Sequence, residues 1–163
     1  MKKIVLFLAL IAMSAAASES EADKQYSVGV GMGAAYSGLG ANFALISNTD
    51  MKYVSVGCVE YSSRYGSTCG GGVGWIVTDL FNASSNKHGL GVYVTKAGHE
   101  SYVSRTGDTF RIDENKYYAA GISYTYFMNG INKPGVNFGI SAHATNAKYD
   151  EKINGFLQVG YQF

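Results

Sequence analysis

The sequence predicts an all-β protein, an eight-stranded antiparallel transmembrane up-and-down β-barrel, and three observations carry that expectation. Apolar residues alternate with small or polar ones through segment after segment, the period of a strand with two different faces. Gly (21) and Tyr (13) are abundant while Pro and Trp occur once each, which suits many short strands better than helices. Most of the apolar segments approach the ~9–11 residues that cross a bilayer as a tilted strand, and none is long enough for a spanning helix.

Lys2 and Lys3 precede the apolar run Ile4 to Met13, and the small residues Ser14-Ala-Ala-Ala17 follow. This reads as a secretory signal peptide, residues 1–17, with cleavage expected after Ala17. Its loss removes two lysines and no acid, so 13 basic residues become 11 against 12 acidic ones. A net charge near −1 gives no reason to expect a nucleic-acid partner. Residues 18–163 suit a single domain.

The strand segments run near 25–34, 39–47, 51–61, 69–79, 88–98, 116–128, 135–146 and 153–163. Between them stand turn-forming clusters such as Ser37-Gly-Leu-Gly40, Asn48-Thr-Asp50, Asn82-Ala-Ser-Ser-Asn86 and Asn129-Gly-Ile-Asn-Lys-Pro-Gly135. An even strand count suits a single-chain barrel.

In the first segment Tyr26, Val28, Val30 and Met32 oppose Ser27, Gly29, Gly31 and Gly33. In the sixth, Tyr118, Ala120, Ile122, Tyr124 and Tyr126 oppose Ala119, Gly121, Ser123 and Thr125. In the seventh, Val136, Phe138, Ile140 and Ala142 oppose Asn137, Gly139, Ser141 and His143. The apolar sets are expected to face lipid, with Tyr and Trp75 near the interfaces. The polar sets are Gly, Ser, Thr, Asn and Gln with little charge, which suits a crowded lumen. In the third segment Tyr53/Val59/Tyr61 and Val54/Val56/Cys58 compete for the outward face.

Glycines on the lumen face leave volume to be filled. Tyr93, Tyr117, Phe127 and Phe156 leaning in from other strands would fill it; a small water-filled or acyl-holding cavity is the alternative. Cys58 and Cys69 flank a polar hairpin tip. In an exported chain they are expected to form a structural disulfide, the alternative being a pair of buried thiols.

Loops 35–38, 62–68, 99–115 and 147–152 fall on one side, expected to be extracellular. The longest, 99–115, reads as two strand continuations around Thr106-Gly-Asp108, so the fifth and sixth strands are expected to project as a hairpin. Keeping their apolar residues on one face demands an odd connection, and a three-residue turn would supply it. Tyr102, Arg105, Phe110 and Arg111 are its candidate contacts for a protein or host-surface ligand, and the two arginines suit lipopolysaccharide phosphates. His88 and His99 fall at opposite ends of one strand, and no His, Cys and carboxylate group has ligand spacing, so no metal or other cofactor is expected.

The final segment carries Leu157, Val159, Tyr161 and Phe163 at alternate positions and resembles the C-terminal assembly signal of bacterial outer-membrane barrels. That resemblance implies a monomer in the outer membrane, inserted by the barrel-assembly machinery among lipid and lipopolysaccharide. With its projecting hairpin the chain resembles small barrels of the OmpX and OmpA kind, which implies a structural or adhesion-type role. The low lumen charge differs from the ion pairs of the OmpA type. Ser141-Ala-His-Ala-Thr-Asn-Ala147 resembles the His-x-Ser-Asn-Ala motif of outer-membrane lipid A deacylases. The resemblance makes His143 a base, Thr145 a nucleophile and Glu151 an orienting acid. Thr stands where that family has Ser, Leu157 stands where its acid falls, and alternation turns both His143 and Thr145 toward the lumen. The expected function is therefore non-enzymatic surface interaction, with a lipid A-modifying hydrolase as the first alternative and a narrow pore as the second.

Overall fold

The computed structural model describes residues 25–62, 66–80, 85–106, 109–148 and 151–163, with 60–62, 66, 100–106 and 109–115 described by backbone alone. The expected signal peptide lies outside the described residues. Eight strands form one closed antiparallel barrel in chain order. They are β1 (Gln25–Gly33), β2 (Gly38–Ile46), β3 (Asp50–Ser62), β4 (Gly66–Val77), β5 (His88–Thr106), β6 (Thr109–Phe127), β7 (Gly135–Thr145) and β8 (Ile153–Gln162). A single 3₁₀ turn, Ala34–Tyr36, joins β1 to β2.

Register gives the barrel a steep tilt. A line of paired residues started at Tyr26 runs through Leu45, Lys52, Trp75, Val92, Ile122, Ala142 and Gly155. Continued across the β8–β1 register, it rejoins β1 beyond the last residue of that strand, Gly33. Closing a sheet into a barrel requires this stagger.

Alternation sorts the side chains as expected. Tyr26, Val28, Val30, Met32, Val92, Ile122, Phe138 and Ile140 are exposed on the outer wall, and Ser27, Asn42, Thr125, Asn137, Gln158 and Gln162 are buried inside. The third strand is settled by a bulge between Cys58 and Glu60. Below the bulge Val54 and Val56 point out and Tyr53 is buried, and the bulge itself inserts Val59, which lines the interior. Cys58 and Cys69 are directly paired across β3 and β4, 3.9 Å apart at Cα, and joined by a disulfide.

The β5–β6 hairpin is present as a ribbon paired to Thr106↔Thr109. Only two residues intervene, so the three-residue turn is not what keeps the apolar faces in phase. A bulge between Lys96 and Gly98 does so, inserting Ala97 as the odd residue.

At the end where β1 begins, the interior is apolar: Ala44, Ile46, Met51, Ile76 and Phe127 pack beneath Ile131 from the β6–β7 turn. Each such burial contributes about 1.5–3 kcal/mol for a full-sized side chain. The turns beneath are tied together by asparagines. Asn86 Nδ2 donates to Asn132 Oδ1 at 2.8 Å, and Asn132 Nδ2 donates to Asn48 Oδ1 at 2.9 Å. On the outer wall nearby, Asp50 accepts a hydrogen bond from Trp75 Nε1 at 2.9 Å and pairs with Lys52 at 3.3 Å.

The middle of the lumen departs from expectation. Residues 35–38, read as an outer loop, fold inward, and Ala34, Ala35, Tyr36 and Ser37 are all at most 3% exposed. Tyr93 and Phe127 lean in and Tyr117 and Phe156 line the interior, yet the space over Gly31 and Gly160 belongs to Tyr36. A Cβ on Gly31 would lie 2.8 Å from Tyr36 Cε2, and one on Gly160 would collide with the same ring and its hydroxyl. These two glycines are missing side chains that a ring replaces.

Candidate functional site

The inward turn makes a polar plug. Asn137 Nδ2 donates to the Tyr36 hydroxyl at 2.7 Å, and Gln158 Nε2 donates to Asn137 Oδ1 at 3.1 Å and to Thr125 Oγ1 at 3.3 Å. Gln158 Oε1 accepts from the Ala35 amide at 3.2 Å, and Asn42 Nδ2 donates to the Ala35 carbonyl at 3.1 Å. Ser37 Oγ sits 2.7 Å from Ser55 Oγ and accepts from Thr95 Oγ1 at 3.0 Å. The turn leaves its last residue, Ser37, in the left-handed region (φ 54°), followed by Gly38 at φ 95°. That pair redirects the backbone into β2 within two residues. Satisfying each buried amide this way avoids about 1–3 kcal/mol per orphaned group.

Above the plug lies a cavity of about 170 Å³ lined by Val59, Ala97, Tyr117, His143, Thr145, Glu151, Asn154 and Phe156. The three residues that the deacylase resemblance singled out therefore line one space. His143 is buried inside β7, and its Nδ1 is 2.8 Å from the Tyr93 hydroxyl. The intervening strand position is Gly121, where a Cβ would lie 2.6 Å from the His143 Cβ, so the glycine lets the Tyr93 ring reach across. The His143 ring also packs on Phe156, centroids 5.0 Å apart. Thr145 Oγ1 donates to the Glu151 backbone carbonyl at 3.0 Å. Ser141, two residues before His143 on the same face of β7, shares its hydroxyl with the Phe156 backbone.

This arrangement orients His143 through Tyr93 and spends the Thr145 hydroxyl on the chain turn before β8. Among the described residues no His, Cys, Asp and Glu group has the arrangement of a metal centre. His88 opens β5 and His99 lies within the same strand, paired with Lys116, so the two do not meet. His88 Nδ1 is 2.7 Å from the Tyr124 hydroxyl, and His99 bonds Thr68.

In the ribbon, register pairs Tyr102 with Asp113, Arg105 with Phe110 and Ser104 with Arg111. The side chains of these candidate contacts lie outside the described residues. Leu157, Val159, Tyr161 and Phe163 all point outward on the last strand, with the Tyr161 and Phe163 rings 4.8 Å apart. An apolar hollow of about 550 Å³ on the same outer wall lies among Trp75, Leu80, Val92, Ile122 and Ile140.

Alternation put Asn137 on the lumen face, but the plug that Tyr36, Asn137, Gln158 and Asn42 form escaped the reading of the sequence. Their signal was indirect: inward glycines on β1, β2, β3 and β8 facing one volume, beside a short run of two alanines and a tyrosine. No known protein family, curated protein or solved structure matches the chain.

Proposed function

We propose that this chain is a Gram-negative outer-membrane barrel whose role is non-enzymatic surface interaction through the β5–β6 ribbon. The observation that carries the reading is how far the ribbon outruns its neighbours. β4 pairs with β5 only to Gly72↔Thr95, and β7 pairs with β6 only to Ala119↔Thr145, while β5 and β6 continue together to Thr106↔Thr109. The β5 side leans on β4 through Lys96 Nζ donating to the Cys69 carbonyl at 2.8 Å. The β6 side is capped at Tyr118 by Asn146 and has no strand neighbour above it among the described residues. An exposed edge of this kind is a template for strand addition by a protein partner.

Membrane residence is supported by the outer wall. Val, Leu, Ile, Phe and Tyr side chains stand exposed on all sides of the barrel, many of them about half exposed or more. Water would be a poor solvent for so continuous a belt, and lipid a good one. In this setting the barrel is a monomer that reaches the membrane through the assembly machinery and contacts lipid and lipopolysaccharide. The test replaces residues 99–115 by an Asn-Gly turn. Heat-modifiable folding is expected to persist while adhesion of expressing cells to host-cell layers is lost; unchanged adhesion refutes the role.

A lipid A-modifying hydrolase is the second reading, favoured by the shared cavity of His143, Thr145 and Glu151. Mass spectrometry of lipid A from cells expressing wild type or His143→Ala decides it. A mass shift with wild type alone establishes the hydrolase, and identical lipid A dismisses it. A narrow pore would have to pass Tyr36, Met51 and Ile76, each 1% exposed. Planar-bilayer recordings are expected to show no steady conductance.

A further inference from the structure

Among the described residues the barrel wall lacks strands above the β1–β2 turn. β1 ends at Gly33 and β2 begins at Gly38, but their neighbours run on: β8 pairs with β1 only from Val159 to Gln162, and β3 pairs with β2 only as far as Cys58. Above the β1–β2 turn, Ile153–Leu157 of β8 and the part of β3 beyond Cys58 have no strand on that side among the described residues. The cavity over the plug borders the same stretch of wall, with Val59 from β3 and Asn154 and Phe156 from β8 in its lining and no residue of β1 or β2.

The gap opens through the apolar belt, not above it. Its sill carries Met32 and Leu39 and its β8 jamb carries Ile153 and Leu157, all outward and exposed, the last two about three-quarters so. Behind this apolar frame the cavity presents His143, Thr145 and Asn154. Hydrocarbon cannot satisfy the open edge of β8, because main-chain groups need hydrogen-bonding partners. A ligand with a polar head and an apolar tail meets both demands. The head enters the cavity and the tail lies on the outer wall over the sill.

We infer that the gap between β3 and β8 is a lateral binding site for an amphiphile with a small, uncharged, hydroxylated head, of the monoacylglycerol class. The head is small because about 170 Å³ holds only about five water-sized groups. It is uncharged because the lining among the described residues includes Glu151 and no Lys or Arg to receive a phosphate. This site rests on the membrane reading above, since only a bilayer brings tails to the sill.

Native mass spectrometry of the full-length barrel in neutral detergent containing 1-mono-oleoylglycerol tests it. Wild type is expected to retain one monoacylglycerol, and Asn154→Trp, which fills the cavity from β8, to weaken retention at least tenfold. Val54→Trp on the outer wall should retain it like wild type. Should Asn154→Trp fail to fold, Thr145→Phe fills the same cavity from β7. Equal retention by wild type and the filled variant, or none by wild type, overturns the site. Equal retention of lysophosphatidylglycerol overturns the uncharged head. A two-barrel mass that the filled variant dissolves also overturns it, in favour of a second copy seated in the gap. Flotation with phosphatidylcholine vesicles separates the two failures. A barrel that does not float refutes membrane residence, and one that floats but retains no monoacylglycerol refutes the site alone.

Discussion

The Tyr36 hydroxyl accepts a 2.7 Å hydrogen bond from the Asn137 amide, joining two residues 101 positions apart across the lumen. One residue comes from the turn after the first strand and the other from the seventh strand, so the bond spans the seam where the barrel closes. Truncation should expose how much rests on it. Tyr36→Ala is expected to cost about 3–5 kcal/mol through the cavity it leaves. Tyr36→Phe should cost about 1–3 kcal/mol by taking the acceptor from Asn137 Nδ2. Urea unfolding of the folded barrel measures both.

Gly160→Ala places a methyl group where the Tyr36 ring and hydroxyl lie. Overpacking of this kind is expected to cost about 1–3 kcal/mol. In a Tyr36→Ala background the ring is gone, and most of that cost should vanish. A double-mutant cycle reads the coupling directly, and additive costs would show that the glycine serves some other purpose.

Tyr53 makes the opposite case. Its hydroxyl is buried and has no hydrogen-bond partner among the described residues. Tyr53→Phe is therefore expected to be neutral or slightly stabilising in the same unfolding assay, because an unpaired hydroxyl is removed with its shape kept. A loss above about 1 kcal/mol would mean the hydroxyl is satisfied in the folded protein.

The disulfide joins residues that β3 and β4 already pair. Cys58→Ser with Cys69→Ser is expected to lower stability by about 2–3 kcal/mol, chiefly through the unfolded chain, without loss of the barrel. Heat modifiability should survive reduction.

Much of the architecture was legible because a barrel wall repeats one rule. Alternation alone placed the faces of β1, β6 and β7, and turn chemistry separated the strands close to their observed ends. Alternation failed where one extra residue resets it. In β3 the outward face belongs to Val54 and Val56 up to the bulge at Val59, and the phase of the ribbon is kept by Ala97 and not by its turn. A bulge has no dependable sequence mark, because its cause is the neighbouring strand. The plug was hidden for the same reason. Ala34-Ala35-Tyr36 reads locally as an ordinary turn, and only partners on β2, β7 and β8 give it an inside to occupy. The cavity over it joins residues of β3, β5, β6, β7 and β8, a set that no spacing along the chain announces.

The seam between β1 and β8 has only four paired positions, Gly29↔Gln162 to Met32↔Val159. The plug bonds both sides of it, through Asn42 on β2 and through Asn137 and Gln158 on β7 and β8. An open, growing sheet has nowhere to seat Tyr36, so its contacts form only as the first and last strands meet. Folding should therefore be rate-insensitive to Tyr36 while unfolding accelerates when it is lost, the behaviour of a latch that closes after the transition state.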